Sequence, residues 1–193
     1  MSGPAVFGVV GRSGSGKTSL LELLIPHLTK RGLAVGTVKH TSHGFLADRP
    51  GKDSFRLYES GAASVALISR QQLATFTRRS DDASPDVSLD TALASLPEGL
   101  DLVLVEGFSW EPIPRFVLVP DSESPIPDHL SRGEVLGILR VSAKPDGQKP
   151  SFTQALVEAI TGEIELRLRQ GGVSPPVDSG TEESEADLST GGG

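Results

Sequence analysis

Ala5-Val6-Phe7-Gly8-Val9-Val10, followed by Gly11-Arg12-Ser13-Gly14-Ser15-Gly16-Lys17-Thr18, is the stretch on which the fold turns. The first six residues are apolar without alternation, the pattern of a strand buried on both faces. The next eight match Gly-x-x-x-x-Gly-Lys-Ser/Thr. In that motif backbone N–H groups converge on phosphate oxygens, and the helix that follows aims its positive dipole end at the same place. Glycine is required where a side chain would block the approach. Lys17 is placed to reach the β- and γ-phosphates of a nucleoside triphosphate, and the Thr18 hydroxyl to ligate Mg²⁺. The expected contact set is therefore Gly11, Ser13, Gly14, Ser15, Gly16, Lys17, Thr18 and Ser19, with Lys17 also taking part in any hydrolysis.

Working outward, Leu20, Leu21, Leu24 and Leu28 recur at helical spacing between Lys17 and Arg31, and Gly32 supplies the stop. Pro26 removes one helical hydrogen bond, which predicts a kink near Glu22 to Ile25. Leu33–Val38 reads as a second strand, followed by the polar segment Lys39 to Gly44, and Asp53 or Ser54 can cap a short helix ending near Gly61. Ser64–Ser69 and Leu73–Thr77 read as a hairpin joined by Arg70-Gln71-Gln72, with Arg78-Arg79 a solvated face beyond it. A helix over Ser88–Leu96 ends at Pro97-Glu98-Gly99, and Leu100–Val105 is a second run buried on both faces. Phe116–Val119 and Val135–Val141 are later strands. Ser151–Arg169 closes the fold as a helix, with Phe152, Leu156, Ile160 and Ile164 on one stripe.

Alternating helices and apolar strands predict an α/β fold, a three-layer P-loop NTPase with a mostly parallel sheet and a β-hairpin insertion. With 193 residues, one domain over residues 1–170 is expected. Residues 171–193 are rich in Gly, Ser, Pro and acids, have no apolar periodicity, and read as a disordered tail. Five acids lie in that tail with no Lys or Arg, so much of the net charge of −7 belongs to it. Neither part reads as a nucleic-acid binder. The absence of cysteine excludes disulfides, cysteine-ligated zinc and iron–sulfur clusters. No apolar run approaches the roughly 18 residues that span a bilayer, and Met1–Val10 is too short for a secretory leader, so a cytoplasmic location is expected.

A phosphate site with Mg²⁺ also needs an acid at the end of a neighbouring strand. Leu102-Val103-Leu104-Val105-Glu106-Gly107 provides one, whereas Asp101 lies about 17 Å away at the other end of the same strand. Glu106 is therefore the expected metal-side and catalytic acid.

Lys39-His40-Thr41-Ser42-His43 follows strand two, and Asp48-Arg49-Pro50-Gly51-Lys52-Asp53-Ser54 follows it. Together with Gly-x-Gly-Lys-Thr, the Val-Glu-Gly-Phe at 105–108 and the pair Pro114-Arg115, these segments resemble the MobB family of molybdopterin-guanine dinucleotide biosynthesis adapter proteins over about residues 5–169. The resemblance implies a homodimeric, GTP-binding protein with weak GTPase activity that assists the nucleotidyltransferase joining GMP to molybdopterin. It implies further that Lys39, His40 and Asp48 lie near the nucleotide, the metal or the cofactor-facing surface, with Asp48 a candidate metal ligand. The chain departs from the family where a lysine usually follows Glu-Gly-Phe; here Ser109 and Trp110 stand.

For the base, Ala143-Lys144-Pro145-Asp146 approximates the Asn/Thr-Lys-x-Asp guanine motif, and Asp146 could accept from both guanine donors. Ala143 cannot supply that motif's amide, and Lys-Pro-Asp-Gly is also an ordinary turn. Two other functions compete. A P-loop small-metabolite kinase would use Arg70 to Arg79 as a lid, but many kinases place an acid for the acceptor hydroxyl where this chain has Lys39-His40. A GTPase assisting metal insertion would use His40 and His43, which lack a third ligand and any cysteine.

Overall fold

The first apolar run forms the centre of the sheet. Strand β1 (Ala5–Gly11) has Phe7 and Val9 fully buried and Val6 and Val10 at 1% exposure, so both of its faces are covered. The computed structural model describes residues 3–46, 48–79, 88–122, 125–142 and 150–171. Helix α1 (Lys17–Thr29) follows, then β2 (Val35–Lys39), α2 (Asp53–Glu59), β3 (Ser64–Ile68), β4 (Leu73–Thr77), α3 (Leu89–Ala94), β5 (Leu102–Glu106), β6 (Arg115–Pro120), β7 (Val135–Val141) and α4 (Gln154–Arg169).

Five strands make one sheet in the order β2-β5-β1-β6-β7, every pairing parallel. Side chains of β1 alternate between two layers. Phe7 and Val9 pack with Leu20, Leu24 and Leu28 of α1 and with Val157, Ile160 and Ile164 of α4. Val6 faces the opposite way, into a cluster with Val103, Val105 and Leu89 of α3. Helices thus cover both faces, which is why β1 and β5 read as continuous apolar runs rather than alternating ones.

β3 and β4 pair antiparallel outside this sheet. Their connection is held by the Ser69 hydroxyl, which accepts from the amides of Gln71 at 3.2 Å and Gln72 at 3.0 Å. That side-chain turn supplies what glycine or asparagine usually provides.

Several local expectations change. Asp53 is the first helical residue of α2, not its cap: Lys52 holds the cap position without a side-chain bond. The Ser54 hydroxyl donates instead to Asp48. α4 begins three residues later than expected, because the Thr153 hydroxyl caps it by accepting from the Leu156 amide at 3.3 Å. Phe152 therefore lies before the helix, where its ring and Pro150 meet Gly16. β2 extends to Lys39, which puts that residue on the strand end. Asp146 and residues 172–193 lie outside the described residues.

Gly11 and Gly14 both hold positive φ, at 151° and 76°, but only Gly11 is also tightly packed. A Cβ on Gly11 would lie 2.4 Å from the Leu118 backbone oxygen, whereas one on Gly14, at φ 76°, would meet nothing within 4 Å. We expect Gly11→Ala to cost about 1–3 kcal/mol through overpacking against backbone, and Gly14→Ala about 1 kcal/mol from left-handed strain alone. Thermal melts of the ligand-free variants should rank Gly11→Ala below Gly14→Ala; equal midpoints would refute the packing argument.

Candidate functional site

The site lies at the carboxyl ends of three adjacent strands. β5 sits between β1 and β2, and the parallel register places Glu106 opposite Val9 on one side and Lys39 on the other. The loop leaving β1 carries Lys17 and Thr18 over the same edge. Residues separated by 67 positions in the chain, Lys39 and Glu106, meet because the sheet is parallel and in register.

Glu106 is buried at 8% exposure. Its Oε2 accepts from the Thr18 hydroxyl at 2.8 Å, and its Oε1 lies 3.0 Å from the Lys39 ammonium. Lys39 also donates to Thr18 Oγ1 at 3.2 Å. A positive charge therefore rests against two oxygens that are themselves neighbours. An all-oxygen donor pair of this kind suits a hard cation such as Mg²⁺.

Lys17 turns back onto its own loop, donating to the carbonyls of Gly11 at 2.9 Å and Arg12 at 2.7 Å. Burial pushes its pKa below the ordinary lysine value; Glu106 opposes this and Lys39 adds to it. A half-buried ammonium that donates to neutral carbonyls can turn to an incoming anion. Ser15 adds a second sign of an unmet partner, since its hydroxyl is buried without a hydrogen bond. Gly16, at φ 91°, forms the N-cap of α1 without a side-chain cap, so the first-turn amides of the helix are not taken by a cap. Ser13, Gly14 and Ser19 lie on the same loop and first turn.

Beyond Glu106 the chain bends sharply. Gly107 has φ 93°, and Phe108, at φ 49°, is the one non-glycine residue with positive φ among those described. The bend brings Phe108 and Trp110 against His40, with ring centroids 5.2 and 4.9 Å from the imidazole. The His40 amide donates to the Glu106 carbonyl at 2.9 Å. Sequence reasoning missed this cluster; its signal was an aromatic or histidine placed after each of two strands that pair in register. It also missed Arg115, which is fully buried. Arg115 Nε donates to the Ile113 carbonyl at 3.1 Å and Nη1 to Ser109 at 2.8 Å, clamping the bend, while Nη2 has no partner. Burial lowers its pKa, Arg132 lowers it further, and Glu111 opposes.

Asp48 is engaged elsewhere: its carboxylate accepts from Ser54 and from the Arg49 amide at 2.6 Å. The Ser54 bond most of all, and then the Arg49 amide, hold its pKa below the usual aspartate value. Among the described residues its hydrogen-bond partners are Ser54 and Arg49, not Thr18 or Glu106. Among the described residues, no group of three His, Cys, Asp or Glu side chains is arranged to hold a metal. No helix among them is long and apolar enough to cross a membrane.

The family described as "Molybdopterin guanine dinucleotide synthesis protein B" matches residues 6–139. The chain belongs to the MobB family. It is 44% identical over 114 residues to the molybdopterin-guanine dinucleotide biosynthesis adapter protein of Haemophilus influenzae, covering 58% of this chain and 62% of that protein. The Escherichia coli adapter protein is 42% identical over 118 residues, covering 61% and 67%. The chain thus spans about three-fifths to two-thirds of the length of these relatives. A crystal structure of molybdopterin-guanine biosynthesis protein B superposes with a TM-score of 0.63 at 34% identity, covering 85% of this chain and 99% of that one. The MobB resemblance read from Lys39–His43, Pro50–Ser54 and Val105–Phe108 is therefore correct.

The Lys39–Glu106 pair generates a measurable coupling. Lys39 is half exposed, so screening limits its contribution, and we expect a coupling of about 0.5–1 kcal/mol between Lys39→Met and Glu106→Gln. Urea denaturation of the two single variants and the double variant measures it; strict additivity would mean that the contact carries no energy.

Proposed function

We propose that this chain binds GTP with Mg²⁺ at the loop Gly11–Thr18, hydrolyses it slowly, and serves as an adapter in forming molybdopterin guanine dinucleotide. The observation that carries the reading is the convergence of Thr18, Lys39 and Glu106 beside a loop whose half-buried Lys17 folds back onto the carbonyls of Gly11 and Arg12. Amides of Gly11, Ser13, Gly14, Ser15 and Gly16, with the first-turn residue Ser19, would cradle the phosphates. Lys17 would leave its two carbonyls for phosphate oxygens. Thr18 and Glu106 would hold Mg²⁺, which supplies charge neutralisation on the phosphates. Lys39, displaced from that seat, would move to the phosphate side. Asp48 belongs to the metal site only if its Ser54 contact is released.

The adapter role follows the printed names of the relatives. The partner it implies is a molybdopterin nucleotidyltransferase, and the setting is the cytoplasm. Preference for guanine rests on the same kinship, and on Asp146 if that residue reads the base. Homodimer formation has its own support: Ile68 and Leu73, a cross-strand pair on the hairpin, are 80% and 70% exposed. Two large apolar side chains side by side in water favour burial in an interface. Ile68→Asp with Leu73→Asp should convert a dimer to a monomer in sedimentation velocity; an unchanged sedimentation coefficient would move the interface elsewhere.

Lys17 and Glu106 should separate by their jobs. Lys17→Ala loses a charge-assisted contact to the bound ground state and should weaken GTP by roughly 1.5–3 kcal/mol, about 10- to 150-fold. Glu106→Gln keeps the shape and should reduce turnover more than affinity. Titration with a fluorescent GTP analogue and single-turnover hydrolysis at saturating Mg²⁺ read the two quantities. Unchanged GTP affinity in Lys17→Ala would overturn the nucleotide assignment.

A further inference from the structure

The loop between β1 and α1 is held at its two ends and open in its middle. At the start, a Cβ on Gly11 would lie 2.4 Å from the Leu118 backbone oxygen of β6, whereas one on Gly14 would meet nothing. At the far end, a Cβ on Gly16 would lie 2.9 Å from Pro150 Cβ and 3.2 Å from Phe152 Cζ. Gly16 takes φ 91°, and its carbonyl accepts from the Leu20 amide at 2.9 Å, so its position sets the first turn of α1. Lys17 and Thr18 are the next two residues of that turn.

Pro150 and Phe152 reach the loop from the far end of the chain, beyond the residues 6–139 that the family match spans. They stand on a firm base. Phe152 packs against the core cluster that includes Phe7, Leu24 and Ile160. The next residue, Thr153, caps α4 by accepting from the Leu156 amide at 3.3 Å. Arg31, just after α1, pairs with Glu158 at 2.6 Å and Glu165 at 3.1 Å, which ties α4 to α1. A ring anchored in this way restrains what it touches, and it touches a left-handed glycine, the residue type with the most backbone freedom to lose.

We propose that Phe152, with Pro150 beside it, is a positioning residue for the phosphate loop: its ring holds Gly16 in the left-handed conformation that aims Lys17 and Thr18. The inference rests on the reading of this loop as a nucleoside-triphosphate site. It gives the ring no contact with the ligand. Without the ring, the ligand itself has to order the end of the loop, and that ordering cost is subtracted from its affinity. The loop meets phosphates, so the loss is the same whether or not a nucleoside is attached to them.

The test compares Phe152→Leu with Phe152→Met in the full chain. Leucine fills the core side of the position but lacks the atom that reaches Gly16, whereas methionine is long enough and adaptable enough to reach it. Both are apolar swaps of similar volume, so melting midpoints are expected to stay within a few degrees of wild type. A fluorescent GTP analogue is titrated with Mg²⁺ well below those midpoints, and tripolyphosphate is titrated as its competitor. Phe152→Leu should weaken both about tenfold, the order of fixing one residue's backbone, while Phe152→Met stays within about twofold of wild type. Wild-type affinities in Phe152→Leu overturn the proposal, because the ring then serves the core alone. A loss for GTP with tripolyphosphate unchanged overturns it by placing the ring against the nucleoside. It is overturned too if Phe152→Met binds as weakly as Phe152→Leu, since reach is the property assigned, or if tripolyphosphate fails to compete in wild type. Failure of wild type to bind GTP at all removes the nucleotide reading and this inference with it, whereas tight wild-type binding matched by Phe152→Leu removes this inference alone.

Discussion

A carboxylate at 8% exposure is costly unless its charge is matched, and Glu106 is matched from two directions, by the Thr18 hydroxyl and the Lys39 ammonium. Those contacts tie together the three strand ends on which the site is built. β1 delivers the loop carrying Thr18, β5 delivers the acid, and β2 delivers the cation. None could be shifted by one residue without turning its side chain to the other face of the sheet. The parallel register is therefore the constraint from which the rest of the site follows.

The same requirement explains the bend after β5. Glu106 must end its strand abruptly so that its side chain stays at the sheet edge while the chain crosses toward β6. Gly107 and Phe108 both take positive φ to do this, and Phe108 does so against the preference of its Cβ. Two features hold the strained residue in place. Its ring packs against His40 and Trp110 on one side, and the Arg115 guanidinium holds the Ser109 carbonyl on the other. A fully buried arginine without a carboxylate partner is an expensive clamp. It lies at the register irregularity where β6 meets β7, so the sheet itself accommodates it.

The kinship with MobB proteins and the local geometry bear on different questions. Membership of the family rests on the match over residues 6–139 and on the shared fold. What the site can do rests on which atoms meet: a half-buried ammonium on neutral carbonyls, two adjacent oxygens with a cation against them, and an unpartnered serine hydroxyl. The ring cluster gives Trp110 a packing role beside His40 and Phe108.

The α/β class, the order of elements, the hairpin and the glycine-rich turn between β1 and α1 were legible in the chain, because apolar periodicity, glycine spacing and turn residues act over a few neighbouring positions. Glu106 was legible as an acid closing an apolar run. Local boundaries were less so: Asp53 loses the cap to Lys52, and Phe152 falls outside α4, since competing caps differ by little energy and tertiary contacts decide between them. The partnership of Lys39 with Glu106, the clamp by Arg115 and the ring cluster of His40 with Phe108 and Trp110 were decided only by the tertiary structure. Each joins residues that neither spacing nor composition relates. They become neighbours only once strands distant in the chain pair in a given order and register, and that order is selected by burial summed over the whole sheet rather than by any one segment.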